Sequence, residues 1–397
     1  MSGRILDFAI VGGGLAGGLL ALALRKALPD ASLALFEAGE SFGGNHRWSW
    51  FASDCGVRGD DLLSDLPWKA IGRANTVRFP GYERRLEADY RSLDSRDFDA
   101  ALRRLLPQEA IRAACPVAGV AADHVVLASG ERVAARSVID CRSVAGTETL
   151  RGGWQVFLGQ HIRTLRPHGL ATPIIMDAAV TQHDAYRFVY SLPLAADEIF
   201  VEDTYYADSP VLDAPTLRAR IAAYCAERGW QGEVVHEETG VLPVVTGGDV
   251  SAFRSAHESA GVALAGARGG FFHPLTSYTV PIAVANALAI AAAARRGLAG
   301  PGLADFVAKR ARRHWRDTAF YRALGRMLFD AAEPGERWRV FARFYRLPEP
   351  LVERFYAARS TPADMLRVLS GRPPLPVTRG LRALLGKGAP LVQGTTR

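Results

Sequence analysis

The sequence predicts an α/β fold: a Rossmann-like dinucleotide-binding domain, an antiparallel sheet inserted into it, and a helical C-terminal region. Three observations predict it. The first 37 residues read as strand, glycine turn, helix and strand. Residues 154–207 lack a helical period and break into short β-like runs. A second glycine-rich turn past residue 260 leads into a long apolar helix, as if closing the first unit. The expected boundaries are a discontinuous nucleotide-binding domain at 1–150 and 255–300, a sheet domain at 151–254, a basic helical region at 301–370 and a flexible tail at 371–397.

The opening elements are the most specific. Ile5–Val11 is a short apolar run, Gly12, Gly14 and Gly17 give G-x-G-x-x-G, Leu15 to Leu28 is helix-forming, and Leu33–Phe36 ends at Glu37. This full context makes the motif informative. Gly12 permits a tight turn, Gly14 lets backbone approach a pyrophosphate, and Gly17 lets the helix pack on the strand. The helix N-terminus offers free N–H groups to phosphate, and Glu37 can accept from an adenosine ribose. An ordinary βαβ unit with packing glycines is the alternative.

Residues 52–92 read as irregular. Asp94–Leu106 reads as a helix capped by Asp94 or Ser95, with Phe98, Leu102, Leu105 and Leu106 at helical spacing. Ile111–Val120, His124–Ala128 and Arg132–Asp140 are β-like, with a turn at Ser129-Gly130. Gln155–Ile162, Ala171–Met176, Arg187–Pro193, Glu198–Tyr206 and Val234–Val245 read as strands, and Pro215–Gly229 as a helix. Gly261–Ala265 leads through Gly266–Gly270 to a helix from about Thr279, and residues 302–360 read as mostly helical.

Composition narrows the function classes. Four scattered cysteines without C-x-x-C spacing read as reduced cytoplasmic thiols. No signal-peptide pattern precedes the first strand, so a cytoplasmic location is expected. The longest apolar run, Pro281–Ala294, is shorter than the roughly 20 residues a bilayer span needs, so it reads as a buried helix. The net charge of +7 is uneven: residues 301–397 hold 19 basic and 8 acidic residues, interleaved with aromatics such as Trp315, Phe341 and Tyr356. That mixture suits an anionic membrane surface, with a solvated basic helical face as the alternative. Nothing resembles a nucleic-acid module.

Three further segments could carry chemistry. Gly43-Gly44-Asn45-His46, followed by Arg47-Trp48-Ser49-Trp50, would let the chain pass close to a cofactor, with His46, Trp48 and Trp50 lining its far end or packing in the core. Leu264–Tyr278 holds Gly266, Gly269, Gly270 and His273 before a helix, a second turn able to set backbone N–H groups against a flavin. In Phe200–Tyr206, strand alternation puts Phe200, Glu202, Thr204 and Tyr206 on one face and Val201, Asp203 and Tyr205 on the other. A carboxyl among aromatic side chains is a candidate general acid, because burial disfavours its anion. A solvated acidic pair at a sheet edge is the alternative. No G-x-S-x-G elbow and no metal-ligand spacing is present.

Together, DFAIVGGGLAGGLLALAL, GGNHRWSW, RSVIDCRS, YRFVYSLPL, FVEDTYY and GGFFHPLTSYTVPIAV resemble the bacterial lycopene β-cyclases of the carotenoid pathway, across most of residues 5–300. The resemblance implies FAD, the fold of aromatic hydroxylases and geranylgeranyl reductases, and peripheral attachment to a membrane that dissolves the substrate. It implies that lycopene and related acyclic carotenoids are cyclised with reduced FAD and no net redox change, with NAD(P)H as external reductant. It matches Glu202 to the family's essential acid and places Asp203 beside it, catalytic as a second proton path or orienting the strand. Trp48, Trp50, Tyr206 and His273 are the expected substrate-pocket residues. Gly266-Ala267 stands where the hydroxylases have Gly-Asp, and Ser143 stands where a glycine is expected. The other readings are a flavin monooxygenase or reductase acting on a polyprenoid, and a non-catalytic prenyl-lipid binder.

Overall fold

The computed structural model describes residues 5–144, 147–371, 376–386 and 388–391. Its first sheet is built on the run Leu6–Val11, buried from Phe8 onward, which pairs in parallel with Leu33–Phe36 on one side and Arg132–Asp140 on the other. Ile111–Arg112 extends one edge, the hairpin Val117–Ala121 and His124–Leu127 extends the other, and Ala263–Leu264 joins the end of Arg132–Asp140. The chain therefore returns to this sheet after residue 260. The expected strand Ile111–Val120 is instead two strands separated by a turn.

Helix Leu15–Ala27 runs from the end of the first strand, and helix Val280–Arg295 lies against it. The second helix is buried on nearly every face, which is why its sequence is almost wholly apolar. Among the described residues no helix is long and apolar enough to cross a membrane. Helix Ser95–Leu105 also packs here, capped by the Asp94 carboxylate accepting from the Arg96 N–H.

The second sheet has the strand order Gly232–Gly248, Leu150–Thr164, Glu198–Ala207, Tyr186–Ala195, Ile174–Asp177, Asn75–Phe79, Tyr82–Leu86. Its last two strands come from a stretch that reads as irregular. Residues 52–92 also hold helix Gly56–Leu63 and strands Lys69–Gly72 and Tyr90–Asp94, which form a small third sheet with Arg47–Phe51. These strands are short and charged on one face, so their alternation is weak, and partners far along the chain stabilise them. The strands of residues 75–86, within the expected 1–150 segment, pair into the second sheet.

The second sheet's two faces have different covers. Leu158, Ile162, Val189 and Val201 meet Leu217, Ile221 and Tyr224 of helix Ala214–Glu227. On the opposite face, Tyr186, Phe188 and Tyr206 meet Phe341, Tyr345 and Phe355 of the C-terminal helices. The tail expected to be flexible is partly ordered: Val377–Leu385 is helical, and Leu391 is buried, its N–H donating to the Leu150 carbonyl. The rest of that expectation falls outside the described residues.

A close backbone approach shapes the first turn. Gly12 has φ +98°, and a Cβ on Gly17 would sit 2.0 Å from the Gly12 carbonyl oxygen. Neither atom is a flexible tip that could yield. Gly17→Val should cost about 3 kcal/mol, the upper end of ordinary overpacking, measured as a fall in thermal midpoint and in soluble yield.

Candidate active site

One cavity of about 780 Å³ runs from the first glycine turn to the aromatic face of the second sheet. At its first end, Gly12, Gly14, Leu15 and Ala16 form the wall. Gly14 caps helix Leu15–Ala27 without any side-chain cap, so the first-turn N–H groups are left for a ligand. A Cβ at Gly14 would meet nothing within 4 Å, which leaves the backbone open to close approach. The Glu37 carboxylate accepts from the Gly13 N–H (2.8 Å) and the Gly39 N–H (2.9 Å), which fixes it at the cavity wall. These features fit a dinucleotide: an anion-binding helix end, and an oriented acid one strand away.

Further along, Gly43, Gly44, His46 and Trp48 line one side, and Gly266, Ala267 and Arg268 the other. Gly43 and Gly44 both have positive φ, and the Gly43 N–H donates to the Gly13 carbonyl (2.8 Å), tying this loop to the first turn. Burial lowers the His46 pKa and favours its neutral ring. Buried Asp140 gathers the strand ends, accepting from Arg142 (2.7 Å) and Arg268 (2.9 Å). Gly269 and Gly270, expected at the cofactor, are not among the lining residues; a Cβ on Gly269 would lie 2.5 Å from the Leu264 carbonyl, so its role is packing.

Glu202 stands on the wall of the far end. Strand Glu198–Ala207 lies between Leu150–Thr164 and Tyr186–Ala195, with Glu202 opposite Gly159 on one side and Tyr190 on the other. Burial raises its pKa to about 7; the Thr204 hydroxyl, donating to Oε1 at 2.6 Å, opposes the rise, the Asp203 charge adds to it, and Arg47 opposes it. Arg47 also lines the cavity, and its guanidinium is held by Asp94 (2.7 Å) and Ser92 (3.2 Å). Tyr206, Tyr190, Phe188, Tyr345 and Tyr356 surround this end.

Asp203 points to the other face. Its carboxylate takes three hydrogen bonds from Arg187 at 2.7–3.0 Å, and both groups are buried away from the cavity. It therefore has no path to a ligand at Glu202 and belongs to the sheet's structure. Trp50 is also displaced from its expected place. It turns into the core beside Trp68 (ring centroids 6.4 Å apart), away from the cavity that its neighbours Ser49 and Phe51 line. His273 is fully buried behind the wall: its Nδ1 accepts from the Leu275 and Thr276 N–H groups (3.2 Å each), and its Nε2 donates to the Phe355 carbonyl (3.1 Å). Burial pushes its pKa down to about 3, so it is a neutral turn-former.

Two buried carboxyls escape sequence reasoning. Glu238 lies on the same rung as Glu202, across Gly159, over which the Phe200 ring packs. Burial and then the Glu202 charge push its pKa to about 8. Asp54, raised by burial to about 7, accepts from the Tyr278 hydroxyl (2.8 Å), and the Tyr278 ring lines the cavity. The Glu202–Glu238 pairing depends on strand register, for which the local sequence carries no signal. Tyr278 at least lies within the glycine-rich closing segment.

Comparison with known proteins agrees with this arrangement. The sequence model of the family described as "Lycopene cyclase protein" matches residues 7–382. The "Lycopene beta-cyclase" of Pseudescherichia vulneris is 45% identical over 383 residues, covering 96% of this chain and 97% of that protein. The "Lycopene beta-cyclase" of Pantoea ananas is 40% identical over 383 residues, covering 96% and 98%. Among solved structures, a geranylgeranyl bacteriochlorophyll reductase-like protein from Thermoplasma acidophilum superposes with a TM-score of 0.61 at 12% identity, covering 96% of this chain and 99% of that one. A flavin-dependent brominase superposes with a TM-score of 0.58 at 15% identity, covering 89% and 94%. These likenesses show the fold, an α/β architecture resembling FAD-dependent oxidoreductases with a C-terminal helical region. By sequence along nearly its whole length, the chain belongs to the lycopene cyclase family.

Proposed function

We propose that the protein is a lycopene β-cyclase, an isomerase that converts the acyclic ψ end groups of lycopene to β-ionone rings, through γ-carotene to β-carotene. The observation that carries this reading is Glu202: a carboxyl that burial keeps protonated near neutrality, on an aromatic wall continuous with a dinucleotide-binding turn. Gly12, Gly14 and the helix N-terminus would hold the FAD pyrophosphate, Glu37 its adenosine ribose, and the turns at Gly43-Gly44 and Gly266–Arg268 would flank it. When bound in reduced form, FAD supplies negative charge that stabilises a nearby cation without net electron transfer, and NAD(P)H is the external reductant.

The chain's own residues supply the acid and the dry site. Glu202 gives its proton to the terminal double bond of the end group, and a tertiary cation forms. The neighbouring double bond attacks that cation and closes a six-membered ring. Loss of a ring proton sets the ring double bond, so one proton enters and one leaves. Thr204 orients the Glu202 carboxyl through its hydrogen bond. The faces of Tyr206, Tyr190 and Tyr356 each stabilise a passing cation by about 0.5–2 kcal/mol. Glu238, beside Glu202, keeps the rung from holding two negative charges once the proton has left. The substrate is a hydrocarbon dissolved in lipid, so the protein works at a membrane surface.

The deciding experiment is anaerobic. Purified protein with chemically reduced flavin and lycopene in liposomes should yield γ-carotene and then β-carotene, without matched consumption of reductant. No cyclic product, or product matched to oxygen or reductant use, would sink the reading. Glu202→Gln should still bind flavin but lose about 10²-fold or more of the cyclisation rate. Because the protonated acid is the active form and its pKa is about 7, the wild-type rate should fall as pH rises through 7 and level off below about 6. Asp203→Asn should behave differently: it strands the buried Arg187 charge and should cost about 3–5 kcal/mol of stability, while the protein that remains folded keeps its turnover.

A further inference from the structure

Exposed large apolar side chains are concentrated on two helices. Of the ten among the described residues, five are leucines on Pro362–Leu369 and Val377–Leu385: Leu366 (70% exposed), Leu369 (56%), Leu381 (57%), Leu384 (38%) and Leu385 (89%). The other five are Ile5, Val57, Leu165, Val211 and Val234, scattered over the rest of the surface. Leu369, Leu381 and Leu384 border one another around a single cavity, and exposed apolar surface gathered in this way marks an interaction site.

The face opens inward. Leu369, Leu381 and Leu384 also line a second cavity of about 230 Å³. Its walls are apolar apart from Arg343, whose guanidinium is turned to the Val368 and Ser370 carbonyls. Its inner wall includes Tyr356, which also lines the catalytic cavity. Phe341 and Phe355 support the same wall, Phe341 stacking on Tyr186 with ring centroids 4.3 Å apart.

The surrounding chain is predominantly basic, with Asp364 in the first turn of the first leucine-bearing helix and Arg379 paired with Glu333 (3.0 Å). From Met365 to the C-terminus the sequence has six basic residues and no acidic one. Arg367, Arg379 and Arg382 lie on the two leucine-bearing helices. Leucines framed by arginine match the acyl boundary and phosphate layer of an anionic lipid leaflet.

We propose that this leucine face seats in an anionic bilayer, and that the cavity behind it is the passage through which a long hydrocarbon chain travels past Tyr356 to Glu202. The same passage holds the distal part of the chain while its end group reacts. The membrane half stands on the exposed face and its charge, and the passage half rests on the cyclase reading.

The test uses the full-length flavin-loaded protein with vesicles of phosphatidylcholine, alone or mixed with phosphatidylglycerol. The wild type should sediment with the mixed vesicles and much less with phosphatidylcholine alone. The double variant Leu381→Asp/Leu385→Asp should bind mixed vesicles at least tenfold more weakly, with an unchanged flavin spectrum and thermal midpoint. Gly380→Phe addresses the passage: Gly380 lines the second cavity, and a Cβ there would meet Met327 Cε at an ordinary 3.5 Å, so the ring would fill the space. This variant should bind vesicles like the wild type but turn over liposomal lycopene at least tenfold more slowly. Vesicle binding unaffected by the leucine changes, a wild-type dimer that buries the face, or full turnover by Gly380→Phe would overturn the proposal. If the wild type makes no cyclic product, the cyclase reading fails, and vesicle binding is judged separately.

Discussion

A carboxyl group kept out of water without a counter-charge of its own is the constraint around which the site is organised. Desolvation is the largest cause of the rise that brings the Glu202 pKa to about 7, and one strong ion pair would oppose it. The nearby cation, Arg47, is already held by Asp94, and the neighbouring carboxylate, Asp203, is neutralised by Arg187 on the far side of the sheet. Gly159 opposite the acid makes way for the Phe200 ring, which packs over it, and the adjoining rung positions carry Tyr190 and Glu238. The result is an acid that holds its proton at neutral pH and faces aromatic rings.

That constraint explains how the two larger sheets are joined. The first sheet presents its strand ends and helix N-terminus to one end of the cavity, and the second presents its aromatic face to the other. Asp140, with Arg142 and Arg268, locks the strand ends to the closing turn. His273 links that turn to the C-terminal helices through the Phe355 carbonyl. A neutral, hydrogen-bonded imidazole performs this in a dry interior at no charge-burial cost. The C-terminal helices are therefore part of the cavity wall, since Tyr345 and Tyr356 line the same cavity as Glu202.

The C-terminal region meets two demands on one stretch of chain. Its inner side supplies aromatic residues to the cavity, and its outer side carries leucine and arginine. Burial on one side and exposed leucine on the other removes the usual polar outer face, which makes this region read ambiguously from composition.

The sequence by itself determined the local geometry: the turn Gly12–Gly17 with Glu37 at the end of the next strand, the Asp94-capped helix, and the alternation that sends Glu202 and Asp203 to opposite faces. Each depends on residues a few positions apart, where backbone sterics and the strand period act directly. Only the tertiary structure decided the rest. Residues 52–92 became strands because distant chains pair with them, Trp50 and His273 went into the core, Glu238 came onto the rung of Glu202, and Tyr356 reached the cavity wall. Register and facing are set by which surfaces are buried together, and that is a property of contacts between segments far apart in the chain.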